Sequence, residues 1–300
     1  MSSQQAHHGI LVGVDGSPDS KVAVDWAARD AHLRGLPLTI VHILPTDRAA
    51  EWLDVPIPDE YLSWRKGESH KIMAEAVDIA RLATDRKVPV EEMTRSGHTV
   101  SALADLSRHA TMIVVGSRGL GAVSGRLLGS VSSGLLHHAH CPVALFRNEY
   151  HPHAPVVVGI DGSPASEAAV AIAFDEASRR GVPLIAVHTY TDAIADEGFA
   201  YANWSMVVEQ AEEALGERLA GWQERYPDVL VRRVVTRDWP AHQLVEQSRD
   251  AQLLVVGSHG RGGFAGLLLG SVSSAVAQSA RIPVIVARGS GRTEVVSAHP

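Results

Sequence analysis

The sequence predicts an α/β protein made of two tandem, doubly wound, five-stranded parallel-sheet domains of Rossmann-like type, with strand order 3-2-1-4-5 expected in each. Three observations predict it. The chain is one unit written twice. Continuous apolar runs of strand length alternate with helical stretches in each unit. A glycine-rich segment follows the fourth apolar run of each unit.

The duplication covers nearly the whole chain. ILVGVDGS (Ile10 to Ser17) matches VVVGIDGS (Val156 to Ser163), and CPVALFR (Cys141 to Arg147) matches IPVIVAR (Ile282 to Arg288). The stretch from Trp26 matches that from Phe174 with small shifts. The polar, Pro-bearing run from Asn148 to Pro155 suits a short linker. The expected domains are residues 1–150 and 151–300. A residue kept in both halves is a candidate for a shared task, although shared folding also keeps residues.

The elements follow in order. Ile10–Asp15 is an apolar strand. Asp19–Leu33 places Val22, Ala23, Trp26, Ala27 and Ala31 on one helical side, and Gly35 and Pro37 end it. Leu38–Leu44 is the second strand, Tyr61–Thr84 a long helix and Val88–Thr94 a short strand. Thr99–Arg108 is a helix, Met112–Gly116 a fully apolar strand, Ser130–His140 a helix and Val143–Phe146 the last strand. The second half repeats this order, with Trp204–Arg225 as its long helix. Strands without polar alternation belong in a parallel sheet covered on both faces. Pro45–Asp59 and Thr191–Asn203 resist the pattern and read as loops near the expected site.

Composition narrows the function. The 300 residues are 45% apolar and 20% charged, which fits a globular chain. A net charge of −7 argues against a nucleic-acid binder, which needs a basic face. A single cysteine, Cys141, permits no internal disulfide and fits a reducing compartment. MSSQQAHHG, at the start, lacks an apolar signal core, and no apolar run approaches a membrane span. The expectation is a cytoplasmic protein without membrane or nucleic-acid partners.

VVGSRGLGAVSGRLLGSVSS (Val114 to Ser133) and VVGSHGRGGFAGLLLGSVSS (Val255 to Ser274) share Gly-x2-Gly-x9-Gly-Ser. In an open parallel sheet, ligands sit beyond the carboxyl ends of the strands where strand order reverses. With order 3-2-1-4-5, that point lies between the first and fourth strands, so Asp15 and Gly116 meet there. Gly116 and Gly119 lack Cβ atoms, which lets backbone N–H groups approach a phosphate and tolerates left-handed φ. Gly129 and Ser130 precede a helix whose free N–H groups favour an anion. Ser130 and Ser132 add hydroxyl donors, with Ser130 as helix cap the compatible alternative. Arg118 and His259 occupy one slot and offer positive charge. Asp15 suits a ribose, a base or a phosphate-held Mg²⁺ better than bare phosphate; a turn with Gly16 is its plainer reading.

On these motifs the chain resembles a tandem universal stress protein of the ATP-binding branch, over nearly all its length. The marks are Val12–Ser17 and Gly116–Ser130 with their second-half counterparts. The resemblance implies ATP, with the glycine motif on phosphates and ribose and Asp15 and Asp161 on the nucleotide. It places Ile43 and Thr189 beside the adenine. The site residues are then Gly13, Asp15, Ile43, Gly116, Arg118, Gly119, Gly129, Ser130, Val131 and Ser132. In the second half they are Gly159, Asp161, Thr189, Gly257, His259, Gly260, Gly270, Ser271, Val272 and Ser273. The family commonly dimerises through its last strand, which here can pair internally, Val143–Phe146 beside Val284–Ala287. A further homodimer and a regulatory protein partner stay open. Ile43 against Thr189 predicts unequal sites.

No Gly-x4-Gly-Lys-Ser/Thr loop and no kinase signature is present, so an ATPase or phosphotransferase is the alternative, beside a non-binding scaffold. A flavin loop would follow the first strand, where Gly16-Ser17-Pro18-Asp19 offers few donors. His137, His138, His140 and Cys141 look metal-like, but the second half has no counterpart, and a solvated helix end is expected. His42 and His188 read as hydrogen-bonded core histidines, and Trp222–Tyr226 as packing. Pro58–Trp64 could supply an aromatic lid.

Overall fold

A computed structural model describes residues 7–45, 58–120, 128–147, 151–190, 204–260 and 269–288. The first half runs β1 (Ile10–Val14), α1 (Pro18–Arg34), β2 (Leu38–Leu44), α2 (Asp59–Ala83), β3 (Val90–Ser96), α3 (Thr99–Leu106), β4 (Met112–Gly116), α4 (Ser130–His138) and β5 (Val143–Phe146). The second runs β6 (Val156–Gly159), α5 (Pro164–Arg180), β7 (Leu184–Tyr190), α6 (Trp204–Arg225), β8 (Val231–Arg237), α7 (Pro240–Gln247), β9 (Leu253–Gly257), α8 (Ser271–Ser279) and β10 (Val284–Ala287). Both expected loop segments lie largely outside the described residues.

Local chemistry sets the boundaries. Ser17 accepts the Ser20 N–H at 3.2 Å and Pro18 opens α1, while Gly35 closes it at φ 64°. Ser163, Pro164 and Gly181 do the same for α5. β3 begins at Val90, after Pro89, which has no N–H to give a ladder. The helix expected to Arg108 ends at Leu106 and tightens into a 3-10 turn, Ser107–His109. α4 stops at His138, because Ala139 is already extended at φ −66° and ψ 150°.

Each half has the order 3-2-1-4-5, all parallel, as expected. The halves are not separate sheets. β5 pairs antiparallel with β10, Ala144 opposite Ile285, giving one ten-stranded sheet ordered β3-β2-β1-β4-β5-β10-β9-β6-β7-β8. All residues of β5 and β10 are buried, so either strand alone would present an apolar edge to water. The cores on the two faces of the sheet each draw on both halves.

Beside this seam, α1 meets α5 through a buried charge cluster. Arg34 bonds Asp30 at 2.8 Å, Asp175 at 2.6 Å, and Glu176. Arg180 bonds Glu176 at 2.7 Å and Asp30 at 3.2 Å, and stacks over Trp26. The Asp30 and Glu176 side chains are 0% and 1% exposed. The Asp30–Arg34 pair repeats as Glu176–Arg180, so the cluster has the pseudo-twofold symmetry of the chain.

Candidate functional site

β1 and β4 are neighbours, with Gly13 opposite Val115, and the strand order reverses between them. Beyond their carboxyl ends opens a cavity of about 510 Å³. Gly13, Asp15, Ile43, Gly116, Arg118, Gly119, Gly129, Ser130, Val131 and Ser132 all line it. Every first-half candidate therefore reaches one place.

Asp15 tethers the glycine loop to β1. Its Oδ1 accepts the Ser17 N–H at 3.0 Å, and its Oδ2 accepts the Leu120 N–H at 3.1 Å. Asp15 thus makes the turn and also lines the cavity. A Cβ on Gly119 would sit 2.5 Å from Asp15 Oδ2, so glycine is required for the tether to close. Asp161 accepts the Ser163 N–H at 2.9 Å, and a Cβ on Gly260 would lie 2.6 Å from its Oδ2. Ser17 and Ser163 brace the same loops, donating to the carbonyls of Arg118 at 3.4 Å and His259 at 3.1 Å.

In three respects these residues serve for other reasons than their spacing suggests. First, the left-handed glycines here are Gly16 at φ 82° and Gly162 at φ 78°, and Gly116, Gly119 and Gly129 are not among them. Second, Gly116 makes room for the chain itself. A Cβ there would lie 2.8 Å from the Asp19 main chain and 2.9 Å from Ser20 N, and Gly257 stands equally close to Ala165 and Ser166. Gly116→Ala is thus expected to destabilise the fold by about 1–3 kcal/mol, as overpacking does, read as a lower Tm without nucleotide. An unchanged Tm would return Gly116 to a purely ligand-facing role. Third, Ser132 spends its proton on the Gly116 carbonyl at 2.8 Å, and Ser273 on Ser258 O at 2.9 Å. They pin α4 and α8 to the ends of β4 and β9 and are not free donors. Gly129 is the N-cap of α4 and Ser130 its exposed first residue, making no side-chain cap.

Gly129 N–H bonds Ser117 O at 2.7 Å, and Gly270 N–H bonds Ser258 O at 2.7 Å. These bonds aim the open N-termini of α4 and α8, at Ser130–Ser132 and Ser271–Ser273, back toward the loops. Arg118 Nε lies 3.3 Å from Asp19 Oδ2, while Ala165 replaces that acid opposite His259. The two halves differ in charge here, not only in one side chain. Ile43 is 6% exposed; Thr189 is half-buried on β7. Gly13 and Gly159 admit Leu103 and Leu244, each within about 3.3 Å of a Cβ built there. Val272 packs against the core on its side of the sheet.

His42 Nδ1 lies 2.7 Å from Val14 O, and His188 Nδ1 2.7 Å from Ile160 O. A carbonyl only accepts, so each Nδ1 carries the proton and each ring ties β1 to β2 or β6 to β7. His42 also lines the cavity. His138 and His140 are exposed while Cys141 is buried, its thiol pushed up to about 12 by desolvation. Trp222 and Tyr226 pack on Phe174.

Trp64, Glu68 and Ile72 form a further wall, missed as a group from the sequence. Their four-residue spacing places them on one stripe of α2, a readable signal. Trp64, from the expected lid segment, is 61% exposed at this wall.

Tandem doubly wound units sharing one sheet, each with a glycine loop braced by the serine after its first strand at the strand-order reversal, define the class. The chain belongs to the universal stress protein family, whose model matches residues 7–147 and 153–288. A universal stress protein of Mycobacterium tuberculosis is 52% identical over 297 residues, covering 97% of this chain and 99% of that one. The crystal structure of a universal stress protein from Archaeoglobus fulgidus shares the fold, with TM-score 0.68, 22% identity, and coverage of 93% of this chain and 96% of that one. A universal stress protein solved in complex with cAMP matches 48% of this chain and 100% of its own, at 28% identity and TM-score 0.35. Among the described residues, no helix is long and apolar enough to cross a membrane.

Proposed function

We propose that the chain is a cytoplasmic stress-response protein that binds ATP in each half and acts as a nucleotide-dependent regulator of a protein partner. The observation that carries this reading is the convergence of all the first-half candidates on one 510 Å³ cavity at the strand-order reversal. Ile43, Val41 and Leu103 give an apolar berth for a base, and Asp15 keeps lone pairs for ribose hydroxyls. The first N–H groups of α4 and the terminal nitrogens of Arg118 suit the phosphates. Among the described residues no three His, Cys, Asp or Glu side chains stand together as a metal site, so a Mg²⁺ would take most of its ligands from phosphates and water, with Asp15 as a single carboxylate.

The second half repeats the Asp161–Ser163 turn and the Ser163–His259 brace, with His259 and Thr189 in place of Arg118 and Ile43, which supports a second, unequal ATP site. Mass analysis of nucleotide released on denaturation, with calorimetry on the emptied protein, tests the reading. Two ATP per chain with distinct affinities are expected. No released nucleotide and no ATP heat would end it. An ATPase rate abolished by Asp15→Ala would replace a holding function with a hydrolytic one.

A further inference from the structure

Each half ends on an arginine that crosses the β5–β10 seam. Arg288 follows β10 and donates from Nη2 to Leu136 O at 2.5 Å and Leu135 O at 3.1 Å. Arg147 follows β5 and donates from Nη2 to Ala277 O. Leu135 and Leu136 lie in the last turn of α4, and Ala277 in the last turn of α8. The Leu135 carbonyl already accepts the Ala139 N–H at 2.9 Å, and Val276 O that of Ala280 at 2.9 Å. Leu136 O and Ala277 O belong to the terminal carbonyls that a helix cannot satisfy internally. The arginine of the opposite half supplies the donor.

The arrangement is reciprocal and costly. Arg147 is 7% exposed, and its Nε and Nη1, with Arg288 Nε, are buried without a hydrogen-bond partner among the described residues. A buried guanidinium with idle donors is a poor choice for packing alone. Both helices it caps share one property. Their opposite ends, at Gly129–Ser130 and Gly270–Ser271, form the open N-termini at the two glycine loops. α4 is only nine residues long, so its two ends move together. A cation at the carboxyl end and an anion at the amino end both favour the same helix dipole.

We infer that Arg288 and Arg147 are positioning residues acting in trans, each holding the phosphate-facing helix of the other half's site. This rests on the nucleotide reading above. Each site is then completed by the opposite half, and the tandem chain is a functional unit rather than two beads on a string.

Calorimetry with ATP on the full chain tests it in two backgrounds. Gly260→Val closes the second site and reports the first; Gly119→Val closes the first and reports the second. Arg288→Met is expected to weaken the first site about five-fold, the scale of one helix-end charge interaction, and the second by less than about two-fold. Arg147→Met should show the crossed pattern. Arg288→Lys, which keeps the charge and a donor, should restore most of the loss. A first site that binds as before, or both sites weakening equally, overturns the inference. If Arg288→Met does not fold, the crossed pattern is read from Arg288→Gln and Arg147→Gln, which remove the charge but keep a polar side chain, and its absence there counts equally against it. Loss of ATP binding in the parent backgrounds would instead remove the nucleotide reading itself.

Discussion

Arg34→Ala is expected to destabilise the protein by about 3–5 kcal/mol, the scale of breaking one partner out of a buried ion cluster. Arg34 bonds three carboxylates, Asp30, Asp175 and Glu176, and the first and last of these are essentially inaccessible. Arg180 alone would then face both Asp30 and Glu176. The effect should depend on pH. Burial, and then the charge of Glu176, push the Asp30 carboxyl from 3.8 to about 7. The folded chain therefore holds a proton that the unfolded chain releases. The stability this proton confers is complete below about pH 4 and is lost as pH rises toward 7, by at most about 1.4 kcal/mol per pH unit. Burial pushes Glu176 upward as well, but Arg180 and Arg34 outweigh it and hold it below its usual 4.5, so its contribution is lost only under acid conditions. Urea unfolding between pH 5 and 8 checks both points. Asp30→Asn should flatten the wild-type slope, and Arg34→Ala should lose more at pH 8 than at pH 5. A loss under about 1 kcal/mol at pH 8 would mean the cluster is hydrated and weak.

The fold was legible because its signals are local and doubled. Apolar β1, β4 and β5 recur as β6, β9 and β10, and Ser17-Pro18 with Gly35 punctuate α1 as Ser163-Pro164 with Gly181 punctuate α5. The site was legible as a set of positions but not as a set of reasons. Gly116 signals close approach in sequence, yet the partner that approaches is the Asp19–Ser20 backbone, which only the fold brings near. The Arg118/His259 difference is visible between the halves. It is matched by a second difference, Asp19 against Ala165, and nothing in the spacing ties the two together. Ser132 looks like a donor until the end of β4 is placed beneath it. Trp64, Glu68 and Ile72 were readable as one helical stripe, but only β1 and β2 show what that stripe faces. Arg147 and Arg288 sat in plain view at matching ends, and only the antiparallel seam reveals that each serves the other half.

Gly119→Val is expected to cut ATP binding at the first site by at least about 100-fold while leaving the fold intact. The position is half-buried at the cavity rim, and among the described residues the only obstruction near a Cβ there is the Asp15 carboxylate, at 2.5 Å. That is the opposite of Gly116, whose neighbours are main chain and cannot swing away. Calorimetry should fall from two ATP per chain to one, from two to one again with Gly260→Val, and to none with both. Tm without nucleotide should move by less than about 2 °C, against the larger fall expected for Gly116→Ala. A stoichiometry that stays at two would remove the glycine loop from the site. Asp15 adds a sharper discrimination, because it is both the obstruction and the candidate ligand. In Gly119→Ala with Asp15→Ala the clash is gone, but so is the acceptor for ribose or metal. Should Asp15 matter only as a tether, this double variant would bind better than Gly119→Ala alone. The expected result is that it binds no better, since relieving the steric conflict cannot replace a carboxylate that the nucleotide itself uses.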